Sequence, residues 1–129
     1  MTVQAGAVLF TIQVRAIAAF YEQVAGMSIH RAEHDHVVLA AGPFRLTVHQ
    51  IPEQYAKNVV IGVPPAVREK GAVKLSFRVD SIARAREAAA GLGGAVYGPD
   101  REWVDEAATV CDGYDPDGNV FQLFQPATD

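Results

Sequence analysis

Residues 8–26 read VLFTIQVRAIAAFYEQVAG, and residues 73–91 read VKLSFRVDSIARAREAAAG. Set side by side at one constant shift, Val8 matches Val73, Phe10 matches Leu75, Thr11 matches Ser76, Ile12 matches Phe77 and Val14 matches Val79. Further on, Ile17 matches Ile82, Glu22 matches Glu87 and Gly26 matches Gly91. The match is one of kind and spacing, and it signals a duplicated unit. Each copy opens with period-two alternation. Lys74, Ser76 and Arg78 interleave with Leu75, Phe77 and Val79, as Leu9, Thr11 and Gln13 interleave with Val8, Phe10, Ile12 and Val14. This predicts a strand with one polar and one apolar face. The period then becomes helical: Ile17, Phe20, Tyr21 and Val24 share one face, and Ile82, Ala85, Ala89 and Leu92 share another. Asp80-Ser81 predicts an N-cap, and Gly26 and the glycines from Gly91 end the helices.

Working outward, three short strands are expected after each helix: about 28–34, 36–41 and 44–50 in the first half, and 95–98, 107–112 and 119–125 in the second. Gly42-Pro43 and Asp115-Pro116-Asp117-Gly118-Asn119 are turn signals, because proline presets a turn torsion and Gly or Asn accepts positive φ. Residues 51–71 contain Pro52, Pro64 and Pro65 and read as a linker, with one helical turn at 53–57. The expected organisation is one domain over 1–129: module 1 at about 6–50, the linker, and module 2 at about 72–126.

Composition agrees. Half of the 129 residues are apolar and a fifth are charged, which suits a globular core. The net charge of −4 comes from scattered charges, and no basic run suggests nucleic acid or a membrane surface. Cys111 is the single cysteine, so no internal disulfide is possible and a reducing, cytoplasmic setting fits. The N-terminus lacks the pattern of a secretory signal, and no apolar stretch approaches the roughly 20 residues of a membrane helix.

Phe20-Tyr21-Glu22 followed by Val24-Ala25-Gly26, and Asp115-Pro116-Asp117-Gly118-Asn119-Val120-Phe121-Gln122-Leu123, resemble two motifs of the vicinal-oxygen-chelate superfamily, the glyoxalase, bleomycin-resistance and dioxygenase proteins. The resemblance implies an α+β fold of two βαβββ modules whose sheets curl into a half-barrel cup, commonly paired as a homodimer. It also implies where a divalent ion would sit in metal-using members: on His or Glu side chains from the first and last strands of each module. Here the last-strand Glu of module 2 is replaced by Gln122. The first-strand position falls on Lys74, whose ammonium has donors only. The repeat puts Leu9 at the equivalent place in module 1, and residues 1–21 contain no His, Cys, Asp or Glu. The fourth position lies near residues 47–49, where His49 is the one plausible ligand. The expectation is therefore no metal and no cofactor.

The cup is expected to hold a small, partly apolar ligand, anionic where it meets Lys74 or Arg78, on Thr11, His49, Lys74, Ser76, Arg78, Trp103, Gln122 and Phe124, with Gln13 and Val120 nearby. Against this stands a solvated sheet face with Lys74 and Arg78 paired to acids. Trp103, expected in a loop, would stack on a flat ligand or close an edge, and Tyr55 in the linker is a weaker version of the same signal. His30, His34 and His36 would share a face if one strand ran unbroken, but Glu33-His34-Asp35-His36 reads as a hairpin tip that scatters them. Cys111 reads as a structural strand residue, and Asp112, Asp115 and Asp117 as turn acids rather than calcium ligands. The leading functional reading is metal-independent small-molecule binding. The alternative is a metal-dependent lyase, isomerase or dioxygenase with displaced ligands such as His49 and Gln122. An interaction module is the third reading, and whether any reaction occurs stays open.

Overall fold

The computed structural model describes residues 4–127 and contains two sheets of the same design. In the first, β1 (Gly6–Thr11) runs parallel to β4 (Phe44–Gln50), which continues antiparallel to β3 (His36–Ala41) and then β2 (Ser28–Ala32). In the second, β5 (Leu75–Arg78) runs parallel to β9 (Val120–Pro126), which pairs with β8 (Ala108–Tyr114). Two short strands, β6 (Ala95–Val96) and β7 (Trp103–Asp105), both pair with β8. Helices α1 (Val14–Val24) and α3 (Ile82–Ala90) follow the first strands, and one helical turn, α2 (Glu53–Ala56), lies in the linker as expected. This is the α+β pair of βαβββ modules, each an open sheet and neither a closed barrel.

Module 2 departs from the expected strand list. The strand expected at 95–98 stops at Val96, a 3-10 turn at Pro99–Arg101 intervenes, and pairing resumes at Trp103. Pro99 cannot donate to a ladder, and Trp103 and Val104 are good strand formers, so the chain returns to β8 after the turn. Trp103 is therefore a strand residue and not a loop residue.

The helices pack on one side of the sheets and on each other. Ile17, Phe20, Tyr21 and Val24 from α1, and Ile82, Ala85 and Ala89 from α3, meet Leu39, Leu46, Val48, Phe121 and Leu123 in one core. Ser81 caps α3 as expected, its Oγ accepting from the Arg84 N–H at 3.1 Å. Gly26 ends α1 with φ +70°.

The expected register of the first strand is corrected. Along β1 it is Leu9 and Thr11 that turn inward, while Val8 and Phe10 are 58% and 57% exposed. In β5 the inward residue is Phe77, followed by buried Val79, with Ser76 and Arg78 outward. Val8 thus corresponds to Ser76, each six residues before its helix starts. The constant shift of the repeat pairs Phe10 with Leu75 and Leu9 with Lys74 instead. The stretch from strand to glycine stop is three residues shorter in module 2, and an odd displacement exchanges the faces of a strand.

Candidate functional site

The face of module 2 away from the helices carries Ser76 on β5, Gln122 and Phe124 on β9, and Val110 and Asp112 on β8. Ser76 lies opposite Gln122, Gln122 opposite Asp112, and Phe124 opposite Val110. Gln122 Nε2 donates to Ser76 Oγ at 2.9 Å. An open cavity of about 620 Å³ covers this face. Ser76, Val110, Gln122 and Phe124 form its floor, and Asp105, Glu106 and Ala107 of the β7–β8 turn form one wall. Glu106 and Ala107 hold positive φ, +45° and +68°, which gives the tight turn that brings both acids to the rim.

Beside the cavity, Lys74 Nζ lies 3.2 Å from Asp112 Oδ1 and 5.8 Å from the centre of the Trp103 ring. The ammonium is already matched by a carboxylate. With Asp105 and Glu106 at the rim, the surroundings of the cavity lean acidic.

A second polar group stands on the corresponding face of module 1. His49 on β4 lies opposite both Phe10 on β1 and His36 on β3. The two imidazoles stack, with centroids 5.4 Å apart and planes 3° from parallel. Asp35, next to His36, sits 2.7 Å from His36 Nδ1 and 3.8 Å from His49 Nε2. The hydrogen bond from His36 holds the Asp35 carboxyl below its ordinary value.

Comparison with known families matches residues 7–124 to the glyoxalase-like domain. The chain belongs to the glyoxalase-like domain family. It is thereby a vicinal-oxygen-chelate protein, as the motifs imply. Solved structures agree on the fold. A glyoxalase/bleomycin resistance protein/dioxygenase family enzyme from Burkholderia phytofirmans is 19% identical with TM-score 0.67, covering 95% of this chain and 97% of its own. An integron cassette protein from V. cholerae is 21% identical with TM-score 0.63, covering 98% and 97%. The fosfomycin resistance protein FosX from Mesorhizobium loti is 14% identical with TM-score 0.59, covering 98% and 92%. A comparison with curated proteins finds no match.

In this glyoxalase-like chain the expected site residues divide. Ser76, Gln122 and Phe124 meet at the cavity, with Lys74 and Trp103 beside it. Arg78 borders a separate depression with Gln23, Asp80 and Arg84. His49 belongs to the other sheet. Thr11 is corrected: it is 1% exposed, turned toward the helices, and its Oγ1 accepts from the Gln13 N–H at 3.0 Å at the start of α1. Gln13 leaves the open face too, donating from Nε2 to Asp117 Oδ1 at 2.6 Å. Asp105, Glu106 and Asp112 were missed as site residues. No glycine marks the Glu106-Ala107 turn, and nothing local ties Asp112 to Lys74, 38 residues earlier.

The donor set does not fit the metal the superfamily implies. Gln122 and Lys74 stand at the module 2 positions the motifs imply, with Ser76 opposite Gln122, and Val8 and Thr47 are the module 1 pair that corresponds to Ser76 and Gln122. None is an imidazole or a carboxylate, and the Gln122 amide is engaged with Ser76. Cys111 is fully buried on the helix side, its Sγ 3.3 Å from the Tyr97 carbonyl oxygen, and burial pushes the thiol above its ordinary value. Both features accord with the structural role expected of it. No helix among the described residues is long and apolar enough to cross a membrane.

Proposed function

We propose that this glyoxalase-like protein binds a small molecule in the cavity over β5, β9 and β8, without a metal at the superfamily's positions. The observation that carries the reading is the Ser76–Gln122 pair: Gln122, in place of the family's Glu, is hydrogen-bonded to a second neutral side chain on the floor of an open cavity. Phe124 and Val110 offer apolar surface, Gln122 and Ser76 orient a polar group, and Asp105 and Glu106 favour a neutral or cationic ligand over the anionic one expected from Lys74 and Arg78. An open cavity also argues against an interaction module whose cup is filled by its own side chains. The displaced enzyme site of His49 with Gln122 is disfavoured because the Gln122 amide is engaged with Ser76, and the groups that gather around His49 are His36 and Asp35.

Pairing of protomers belongs to the same proposal. Val8 and Phe10 on β1 and Ile29 on β2 expose apolar surface on strands with unpaired edges. A monomer by light scattering at micromolar concentration would remove it. A cytoplasmic location, suggested by the single buried thiol, is part of the proposal as well.

The test is calorimetric titration, in chelator, against a library of cationic and neutral aromatic metabolites and antibiotics. A binder tighter than about 100 μM whose affinity falls at least about tenfold in Phe124→Ala is expected. A library without binders, or a binder indifferent to Phe124→Ala and Gln122→Ala, would overturn the reading.

A further inference from the structure

We propose that Asp35, His36 and His49 form a binding site for one divalent first-row transition ion, of which zinc is the type, at the rim of the open face of module 1. The site is distinct from the superfamily's positions. Asp35 and His36 come from the β2–β3 hairpin, outside the first and last strands that carry the superfamily's ligands, and none of the three residues lines the cavity of module 2. It therefore goes beyond the small-molecule reading and does not depend on it.

The fold assembles the group from parts that the sequence keeps apart. The hairpin between β2 and β3 turns at 33–35, so His30 and His34 separate from His36. Antiparallel pairing then sets His36 directly opposite His49. Two backbone hydrogen bonds hold the tip in place: Glu33 N–H donates to His36 O, and Gln50 N–H donates to Asp35 O, both at 2.8 Å. The second anchors Asp35 to the strand that carries His49. The ligand atoms of all three side chains lie within 4.8 Å of one another.

The orientation of His49 gives the decisive detail. Its Nδ1 lies 2.8 Å from the Gln50 carbonyl oxygen, which can only accept, so Nδ1 carries the proton and donates. In the neutral ring Nε2 is then left with its lone pair, facing Asp35 Oδ2 at 3.8 Å. That gap is too long for a hydrogen bond, and two acceptors facing each other across it repel until a proton or a metal cation lies between them. A tetrahedral ion with nitrogen and oxygen ligands at about 2.0–2.2 Å holds its donors about 3.4 Å apart, close to the spacing already present. A backbone carbonyl on the remote imidazole nitrogen is the usual support of a metal-bound histidine.

His36 offers Nδ1 to the same carboxylate at 2.7 Å. Its Nε2 lies 3.5 Å from the Arg31 guanidinium, an exposed group free to turn outward. Coordination through Nδ1 moves the imidazole proton to Nε2 and displaces Arg31, with no net proton lost from the ring. Two imidazoles and one carboxylate select zinc, nickel, cobalt or copper over calcium and magnesium, which prefer all-oxygen sites. The Phe10 ring, 5.8 Å from that of His49, walls one side, and the other stays open to water.

The test titrates the full chain with Zn²⁺ against a chromophoric competitor and follows the imidazole nitrogens by NMR. One ion per chain is expected, with the nitrogen signals of His36 and His49 shifting and those of His30 and His34 unmoved. His49→Ala and Asp35→Asn should each weaken binding at least about tenfold, while His34→Ala should not. The NMR signature in the wild-type chain decides even if a variant folds poorly. No binding at about 100 μM zinc, shifts confined to His30 and His34, or full affinity in folded His49→Ala would each overturn the site, including the outcome in which a proton alone bridges His49 and Asp35.

Discussion

The Tyr21 hydroxyl donates to Asp115 Oδ2 across 2.7 Å, joining the first module's helix to the second module's turn. The two motifs that carry the family resemblance, FYE and DPDGN, are thus halves of one contact. Asp115 also accepts from the Asp117 and Asn119 backbone N–H groups and from the Asn119 side chain, so a fully buried carboxylate has every acceptor position engaged. Burial and the neighbouring carboxylate push the Tyr21 phenol well above its ordinary value, so it remains a donor.

Tyr21→Phe removes that donor and nothing else of the ring's packing against Phe20, Phe77 and Phe121. A hydrogen bond to a charged group contributes about 1.5–3 kcal/mol. Loss of that size in denaturant unfolding is expected, and a change below about 0.5 kcal/mol would show that the motif contact is dispensable.

Asp115 predicts a pH effect of uncommon sign. Burial raises its folded-state value above 3.8, with the hydrogen bonds from Tyr21 and Asn119 pulling the other way. A group raised on folding contributes stability fully present below the unfolded value and lost as pH rises through the folded one. The stability of the wild type relative to Asp115→Asn should therefore grow as pH falls toward 3.8 from above. A difference that shrinks on acidification would mean that the turn's hydrogen bonds outweigh burial.

Two glycines with similar torsions should respond differently to alanine. Gly118 has φ +86°, and a Cβ there would run into the Ala66 carbonyl, where the linker crosses the turn and Arg68 N–H donates to Gly118 O at 2.8 Å. Gly26 has φ +70° with open space around it. Gly26→Ala should cost only the left-handed torsion, about 1–2 kcal/mol, and Gly118→Ala clearly more, because linker and turn must separate. Thermal unfolding of both variants decides it, and equal losses would refute the linker contact.

Ala107 sits at φ +68° without being glycine. That torsion costs an L-residue about 1–2 kcal/mol, and glycine's greater unfolded-state freedom takes back about 0.5–1. Ala107→Gly should stabilise by roughly 0.5 kcal/mol, read as a small rise in melting temperature. A fall would mean that the alanine methyl packs usefully against the cavity.

Lys74→Gln should shift stability by less than about 1 kcal/mol, because the pair with Asp112 is partly exposed. It frees the Asp112 carboxylate beside the cavity, so affinity for a cationic aromatic probe should rise in titration. Affinity rising for anionic probes instead would contradict the acidic character assigned to the cavity.

The duplicated strand–helix unit, the helix faces of Ile17, Phe20, Tyr21 and Val24, the Ser81 cap and the turn at Asp115 were all legible in the sequence, because each depends on residues a few positions apart. The strands at His36–Ala41 and Phe44–Gln50 were placed to the residue, since Gly42-Pro43 leaves the hairpin little freedom. The β7 strand was not legible, since its partner β8 supplies the pairing from outside the segment. The candidate site was legible only in part. Gln122 was fixed by the turn just before it, and Phe124 followed by alternation, but their neighbours were not.

By itself, the sequence determined two modules, their order and the absence of conventional ligands on the first strands. Only the tertiary structure decided which face each first strand turns outward, that Ser76 and not Lys74 stands beside Gln122, and that His36 and His49 meet over Asp35. The reason is physical. Helical periodicity and turn chemistry act within a few residues, whereas the facing of a strand is set by parity. Parity depends on the count of residues between strand and helix, and on which strand, tens of residues away, supplies the hydrogen bonds.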